Sequence, residues 1–263
     1  MVLTNEKYIL TRGLAVWNTW GQSFSDIVFA CNCPRVIAVK NLIERKEEIP
    51  KELDQYKKVA NLPILNIEMT ENVGNMGEKV LKVLTKSYNI YKNHSSFYYM
   101  VDDDAYVFVN NLNKYIKTLN TSHPHIYGFK FNHLPLPGGH IFGGSGILLT
   151  NESMQRLVTK IKNKDCEIHM DKYGDVTIGG CAYSAGIEII DARDGDGKAR
   201  FYAYDPKKHL TGKVSKVFHI FGSYNKMIGK ECCSLDTIAF HYVKEKLMYE
   251  IHGNRTFLKD LFT

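Results

Sequence analysis

Apolar runs bounded by polar breaks recur along the chain, and their period shifts between strand-like and helix-like. Residues 7–10 predict a short strand, and 11–21 a helix closed by Gly21. Residues 26–30 and 35–39, both β-branched and apolar, predict two more strands. The charged stretch 44–58 contains Pro50 and reads as a surface excursion followed by one helix, with a strand over 63–67. From Gly77 the period lengthens: Val80, Leu81, Val83, Leu84, Tyr88 and Tyr91 share one helical face that would pack on a sheet. A strand at 126–131 follows a helix at 110–119, a helix opens at 151–158, and the apolar run 187–190 ends at Asp191. Residues 232–243 alternate as a strand, with Ile238, Phe240 and Tyr242 on one face and Ala239, His241 and Val243 on the other. Strands alternating with helices predict an α/β fold. No repeat or low-complexity linker marks a second domain, so residues 1–263 are expected to form one.

One break carries more chemistry than the rest. The apolar run Phe97-Tyr98-Tyr99-Met100-Val101 ends in Asp102, Asp103 and Asp104, and a second β-like run, Tyr106-Val107-Phe108-Val109, follows. Three adjacent carboxylates at the mouth of a buried strand repel one another unless a cation takes up their charge. Hard oxygen ligands suit Mg²⁺ or Mn²⁺, which leave coordination positions for substrate phosphates. In an extended chain Asp102 and Asp104 point to one face, about 7 Å apart, and Asp103 points elsewhere. Ligands of open α/β sheets collect beyond the carboxyl ends of strands, where this triplet would lie. An acidic turn closing a hairpin is the alternative.

Five glycines, Gly138, Gly139, Gly143, Gly144 and Gly146, punctuate a β-rich stretch without the spacing of a dinucleotide fingerprint. Either the turns are tight or a sugar or nucleotide approaches the main chain here, which makes Gly143 and Gly144 candidate contacts. Lys79, at the start of the helix before the acidic strand, is a candidate for the phosphates and equally a surface lysine. A lone histidine among apolar residues, as His241 is, reads as a core residue.

With 44% hydrophobic residues the chain can bury a large core, and its formal charge of +6 is spread without a basic arm, which gives no support to nucleic-acid binding. The six cysteines, Cys31, Cys33, Cys166, Cys181, Cys232 and Cys233, lack zinc-site spacing. Together with sequons at Asn93, Asn120, Asn151 and Asn254 they point to the secretory lumen. No apolar stretch is long enough to span a bilayer, so an anchor is expected to have been removed or the chain to be a shortened copy.

These pieces line up with a family. From about Trp17 to Glu250 the chain resembles the fringe-like inverting β1,3-glycosyltransferases, nearest their core 1 β1,3-galactosyltransferase branch. The resemblance rests on Thr19-Trp20-Gly21, on Val101 to Val107, and on Gly143-Gly144-Ser145-Gly146. It continues through Gly186-Ile187-Glu188, Asp191 to Asp194 with Gly197-Lys198, and Cys232-Cys233-Ser234 ahead of Phe240-His241-Tyr242-Val243. The vicinal cysteines point to the core 1 branch; fringe-type transfer of GlcNAc to O-fucose and a non-catalytic, chaperone-like relative are the other readings.

The resemblance implies a GT-A nucleotide-sugar transferase fold, with a mostly parallel central sheet flanked by helices. It also implies Mn²⁺, a UDP-galactose donor, an acceptor glycoprotein carrying O-linked GalNAc, a homodimer and a Golgi location. By matching position, Asp102, Asp104 and His241 would hold the metal, which reverses the core reading of His241. Asp175 would be the general base, and Asp103 joins Lys79, Gly143 and Gly144 as a nucleotide-sugar contact. Cys166 is expected to pair with Cys181. The other four are expected to cross-pair, Cys31 and Cys33 with Cys232 and Cys233, because a bond within either close set would be strained. Two departures from the family stand out: Gly174 where it has Glu, and the aromatic stretch 218–225 in place of a Trp-rich cluster that would stack on the acceptor sugar.

Overall fold

The computed structural model describes residues 1–132, 136–166, 172–215, 222, 228–229 and 232–261. Among the described residues, twelve strands run in chain order as β1 (Val2–Leu3), β2 (Phe29–Cys31), β3 (Ile64–Asn66), β4 (Phe97–Asp102), β5 (Tyr106–Val107) and β6 (His125–Gly128). They continue as β7 (Lys130–Phe131), β8 (His140–Ile141), β9 (Ile147–Thr150), β10 (Glu188–Asp191), β11 (Phe201–Tyr202) and β12 (Ala239–Phe240). Seven form the central sheet in the order β10-β6-β9-β4-β1-β2-β3. Every pairing in it is parallel except those of β9, which runs antiparallel between β4 and β6.

Strand alternation divides the core between the two faces of this sheet. Tyr98, Met100 and Leu149 point to the face covered by the helices Met76–Tyr91, Asn151–Asn163 and Gly174–Ser184, where Val80, Val83, Leu84, Met154, Leu157 and Ile178 are buried. Val101 and Leu148 point to the other, against Val16, Trp20, Val36, Val39 and the small sheet β11-β12-β5. The Met76–Tyr91 helix thus buries the face its sequence period predicts, with Leu81, Tyr88 and Tyr91 packed at its edge. Among the described residues, no helix is long and apolar enough to cross a membrane.

Several sequence expectations are corrected. The first strand is Val2–Leu3, and residues 7–10 are helical: Glu6–Tyr8, a π-helical turn Ile9–Gly13 and Leu14–Asn18 follow one another, opened by the Asn5 side chain, which accepts from the Tyr8 amide at 3.0 Å. Residues 35–39 lie in the helix Pro34–Arg45, whose first position is the proline that presets the helical φ. The alternation over 232–243 yields a strand only at Ala239–Phe240; Tyr242 takes φ 54° and turns outward.

The cysteines pair as Cys31–Cys33, Cys166–Cys181 and Cys232–Cys233. The expected Cys166–Cys181 bond is present, and the expected cross-pairing is not. The turn from β2 into the Pro34–Arg45 helix already brings the Cys31 and Cys33 Cα atoms to 5.5 Å, inside the ordinary disulfide range. Cys31 and Cys33 therefore find each other locally, and Cys232 bonds its chain neighbour Cys233. The aromatic stretch 218–225 lies outside the described residues except for Gly222.

Candidate metal centre

The site forms where β1 and β4 end side by side. Leu3 is in register with Asp102, and the Asp103 amide donates to the Leu3 carbonyl at 3.0 Å, so the chain turns just past the strand with its three carboxylates fanned apart. Asp103 goes inward and is buried, accepting from the Thr4 hydroxyl at 2.6 Å. Asp102 and Asp104 go the other way, toward His241.

His241 comes from the far end of the chain. β12 pairs antiparallel with β5, directly after the acidic turn, and the Val243 amide donates to the Asp104 carbonyl at 2.7 Å. This pins the imidazole, which is 5% exposed, over the aspartates: Nε2 lies 2.9 Å from Asp104 Oδ1 and 3.5 Å from Asp102 Oδ2. One ligand atom from each of the three residues fits within 4.8 Å of the others. Burial disfavours the imidazolium, but hydrogen bonds and charge from Asp102 and Asp104 outweigh it and push His241 up to about 9. Burial likewise works against the Asp104 carboxylate, and His241 and Arg12 more than offset it, so its pKa falls. For Asp103 burial wins, raising the carboxyl to about 7 despite Thr4 and Arg12.

Gly144 makes this convergence possible. A Cβ there would lie 2.2 to 2.6 Å from three atoms of the His241 ring, so only glycine lets the imidazole approach. Next to it, the Gly143 amide donates to Asp175 Oδ2 at 3.2 Å. Asp175 stands in the first turn of the Gly174–Ser184 helix, half-buried, its other oxygen accepting from the Val176 amide at 2.9 Å. Gly174 has a packing reason: a Cβ would meet Val80 Cγ1 at 2.7 Å, so a larger residue would force this helix away from Met76–Tyr91. The Cys166–Cys181 bond ties the same helix to the end of Asn151–Asn163.

Asp102, Asp104, His241, Gly143, Gly144 and Asp175 therefore share one locale, with the carboxylate–imidazole group on Gly144 and Asp175 on Gly143. Lys79 does not join them. Its ammonium is buried, paired with Glu71 at 2.7 Å and donating to the Thr4 carbonyl, so it braces the turn below the site instead of facing a ligand. Asp103, also expected to touch the nucleotide sugar, is enclosed by Thr4 and Arg12. The sequence reading missed Arg12, whose Nη1 reaches Asp103 at 3.3 Å and Asp104 at 3.2 Å, and Tyr242, stacked on His241 with ring centroids 3.9 Å apart. Neither sits in a pattern that spacing alone would flag.

Two carboxylates and one imidazole form a mixed oxygen–nitrogen set suited to Mn²⁺ and similar ions. The His241 Nδ1 is buried with no hydrogen-bond partner among the described residues, so nothing on the protein side competes for the orientation that aims Nε2 at the aspartates.

No family profile matches the chain. It is 27% identical over 195 residues to the glycoprotein-N-acetylgalactosamine 3-beta-galactosyltransferase 1 of Xenopus laevis, a match covering 73% of this chain and 54% of that protein. The chain thus spans about half the length of this relative. This relative is of the group that the chain's motifs resemble. Among solved structures, an active-site mutant of LgtC aligns over 96% of this chain and 94% of its own at 11% identity and TM-score 0.49. The galactosyltransferase LgtC with donor and acceptor sugar analogues aligns over the same shares at 9% identity and TM-score 0.47.

Proposed function

We propose that this chain is the catalytic unit of an inverting β1,3-galactosyltransferase of the GT-A type. In this reading it uses Mn²⁺ to move galactose from UDP-galactose to the 3-hydroxyl of O-linked GalNAc on glycoproteins in the Golgi lumen. The observation that carries it is the meeting of Asp102 and Asp104 with His241, from distant stretches of the chain, beside the Asp175 carboxylate held by the Gly143 amide. A solvated acidic turn has no need of a buried imidazole, nor of a glycine that admits it.

Asp102, Asp104 and His241 would hold the cation, which when bound stabilises charge on the departing diphosphate. Asp175 is the general base. Its Oδ2, oriented by the Gly143 amide, takes the proton of the acceptor hydroxyl as that oxygen attacks the anomeric carbon, while the carbon–oxygen bond to UDP breaks on the far side. A single displacement inverts the α-linked donor to a β product, so no covalent sugar–enzyme intermediate is needed. Gly143 and Gly144 would serve the site by admitting Asp175 and the His241 ring against the main chain. Pairing of two copies is part of the same reading.

The test is a donor comparison with Mn²⁺ and a GalNAc-α-Ser/Thr peptide. Release of UDP from UDP-galactose with a β1,3-linked product is expected, and little from UDP-GlcNAc; turnover with neither donor overturns the proposal.

A further inference from the structure

Arg12 stands at the site without a role in the scheme above. It belongs to the π-helical turn Ile9–Gly13, and such widened turns shift the side chains beyond them by about 100° relative to an unbroken α-helix. Arg12 lies within this turn, and its guanidinium reaches the acidic turn. Its Nη1 alone makes both contacts, to Asp103 Oδ1 and Asp104 Oδ2, while the Tyr8 ring carries the group from beneath with Cζ 4.1 Å from its centroid. Among the described residues, Nε and Nη2 have no hydrogen-bond partner, and the side chain is 31% exposed. Asp104 is split between two partners: Oδ1 faces His241 and Oδ2 faces Arg12.

Charge makes the free edge significant. Asp102, Asp103 and Asp104 outweigh one divalent ion by a single negative charge, and Arg12 offsets that charge, so without it the loaded site would repel an anionic diphosphate. A guanidinium is suited to this work because it stays charged and presents planar pairs of N–H donors to phosphate oxygens.

We infer that Arg12 is a donor-binding residue: it fixes the outer oxygen of Asp104 and turns its unused N–H edge to the diphosphate of the bound nucleotide. The inference rests on the nucleotide-sugar reading proposed above and adds to it a residue outside the acidic motif. The chemical class it recognises is a nucleoside diphosphate, and the group it meets is the phosphate pair, not the base.

UDP and uridine therefore separate the possibilities, titrated at fixed Mn²⁺ by calorimetry and ligand-observed NMR. In Arg12→Met, UDP affinity should fall roughly ten- to hundred-fold, as expected for a lost charge-assisted contact, while uridine affinity stays unchanged. Arg12→Lys, which keeps the charge but loses the planar edge, should lose less. A folded Arg12→Met that binds UDP as the wild type does, or that loses UDP and uridine equally, overturns the assignment. If Arg12→Met does not fold, Arg12→Lys decides: an unchanged ratio of UDP to uridine affinity overturns it, and a lowered ratio supports it. Wild-type protein that binds no UDP would refute the nucleotide-sugar reading itself, and this inference with it.

Discussion

Gly144→Ala is the sharpest single perturbation of the site. The residue has an ordinary backbone conformation, so the cost of a methyl group is purely steric. At 2.2 Å from His241 Cε1 and 2.4 Å from Nδ1, the new atom forces the imidazole or the loop to retreat by roughly 1.3–1.8 Å to reach ordinary carbon contact. The ring cannot yield easily, being buried and held between Phe142, with centroids 5.7 Å apart, and Tyr242. Overpacking of this kind costs about 1–3 kcal/mol in folding stability. The displaced Nε2 should also weaken Mn²⁺ binding by at least the ten- to hundred-fold typical of a disturbed ligand shell, by order of magnitude. Urea unfolding and Mn²⁺ calorimetry read the two effects. In a His241→Ala background the clash partner is gone, so adding Gly144→Ala should cost little further stability, a coupling that a double-mutant cycle isolates. Wild-type stability and Mn²⁺ affinity in Gly144→Ala, or full additivity of the two substitutions, would refute the packing argument.

Asp175→Asn should lower turnover by roughly 10²–10⁴-fold while leaving UDP affinity intact, because the residue acts on the acceptor proton and not on the nucleotide; parallel loss of UDP binding would show it belongs elsewhere. Cation binding should strengthen with pH, about tenfold per unit below the His241 pKa of about 9, since the ion must displace the imidazolium proton held between Asp102 and Asp104. In metal-free protein the same raised pKa stabilises the fold most below about pH 6.5 and is lost as pH rises through about 9, so the apo melting temperature should drop over that window. Mn²⁺ titrations and melts between pH 6.5 and 9 check both, and pH-independent affinity counts against the ligand set. Replacing Cys166 and Cys181 by serine opens a 15-residue separation and should cost about 3 kcal/mol in non-reducing unfolding. A midpoint unchanged from the wild type would show that this tether contributes nothing.

The parts of the fold legible in the sequence are those where period and chemistry agree. Alternation through Tyr98, Met100 and Asp102 fixed which carboxylate faces away from the others, and the structure turns Asp103 inward while Asp102 and Asp104 meet the imidazole. The Met76–Tyr91 helix was equally plain from its apolar face. Near the N-terminus, composition misled. Tyr8, Ile9 and Leu10 look like a strand, but the Asn5 cap makes them helical, and the β-branched run after Pro34 is outweighed by the proline that starts its helix. Local cap chemistry, weak in any one residue, overrode side-chain preference in both places.

His241 marks the boundary of what the residues alone could give. Its alternating, apolar surroundings argue for a core position, and it is indeed buried; only the β12–β5 pairing brings it to the acidic turn. Arg12 had no signal at all, since a π-helical turn is not written in periodicity and an arginine in an amphipathic helix is commonplace. Lys79 shows the converse. A basic residue in the right stretch of chain looked like a phosphate ligand, and the fold uses it as an internal brace.

The most direct measurement is an anomalous difference map from crystals grown with Mn²⁺ and UDP. The expected result is one manganese peak bounded by the Asp102 and Asp104 carboxylates and His241 Nε2, with the UDP diphosphate bound to it and Asp175 on the opposite side of the donor sugar. Manganese bound elsewhere, or a UDP pose that leaves those three side chains untouched, would contradict the claim that they form the metal centre of a sugar-nucleotide enzyme.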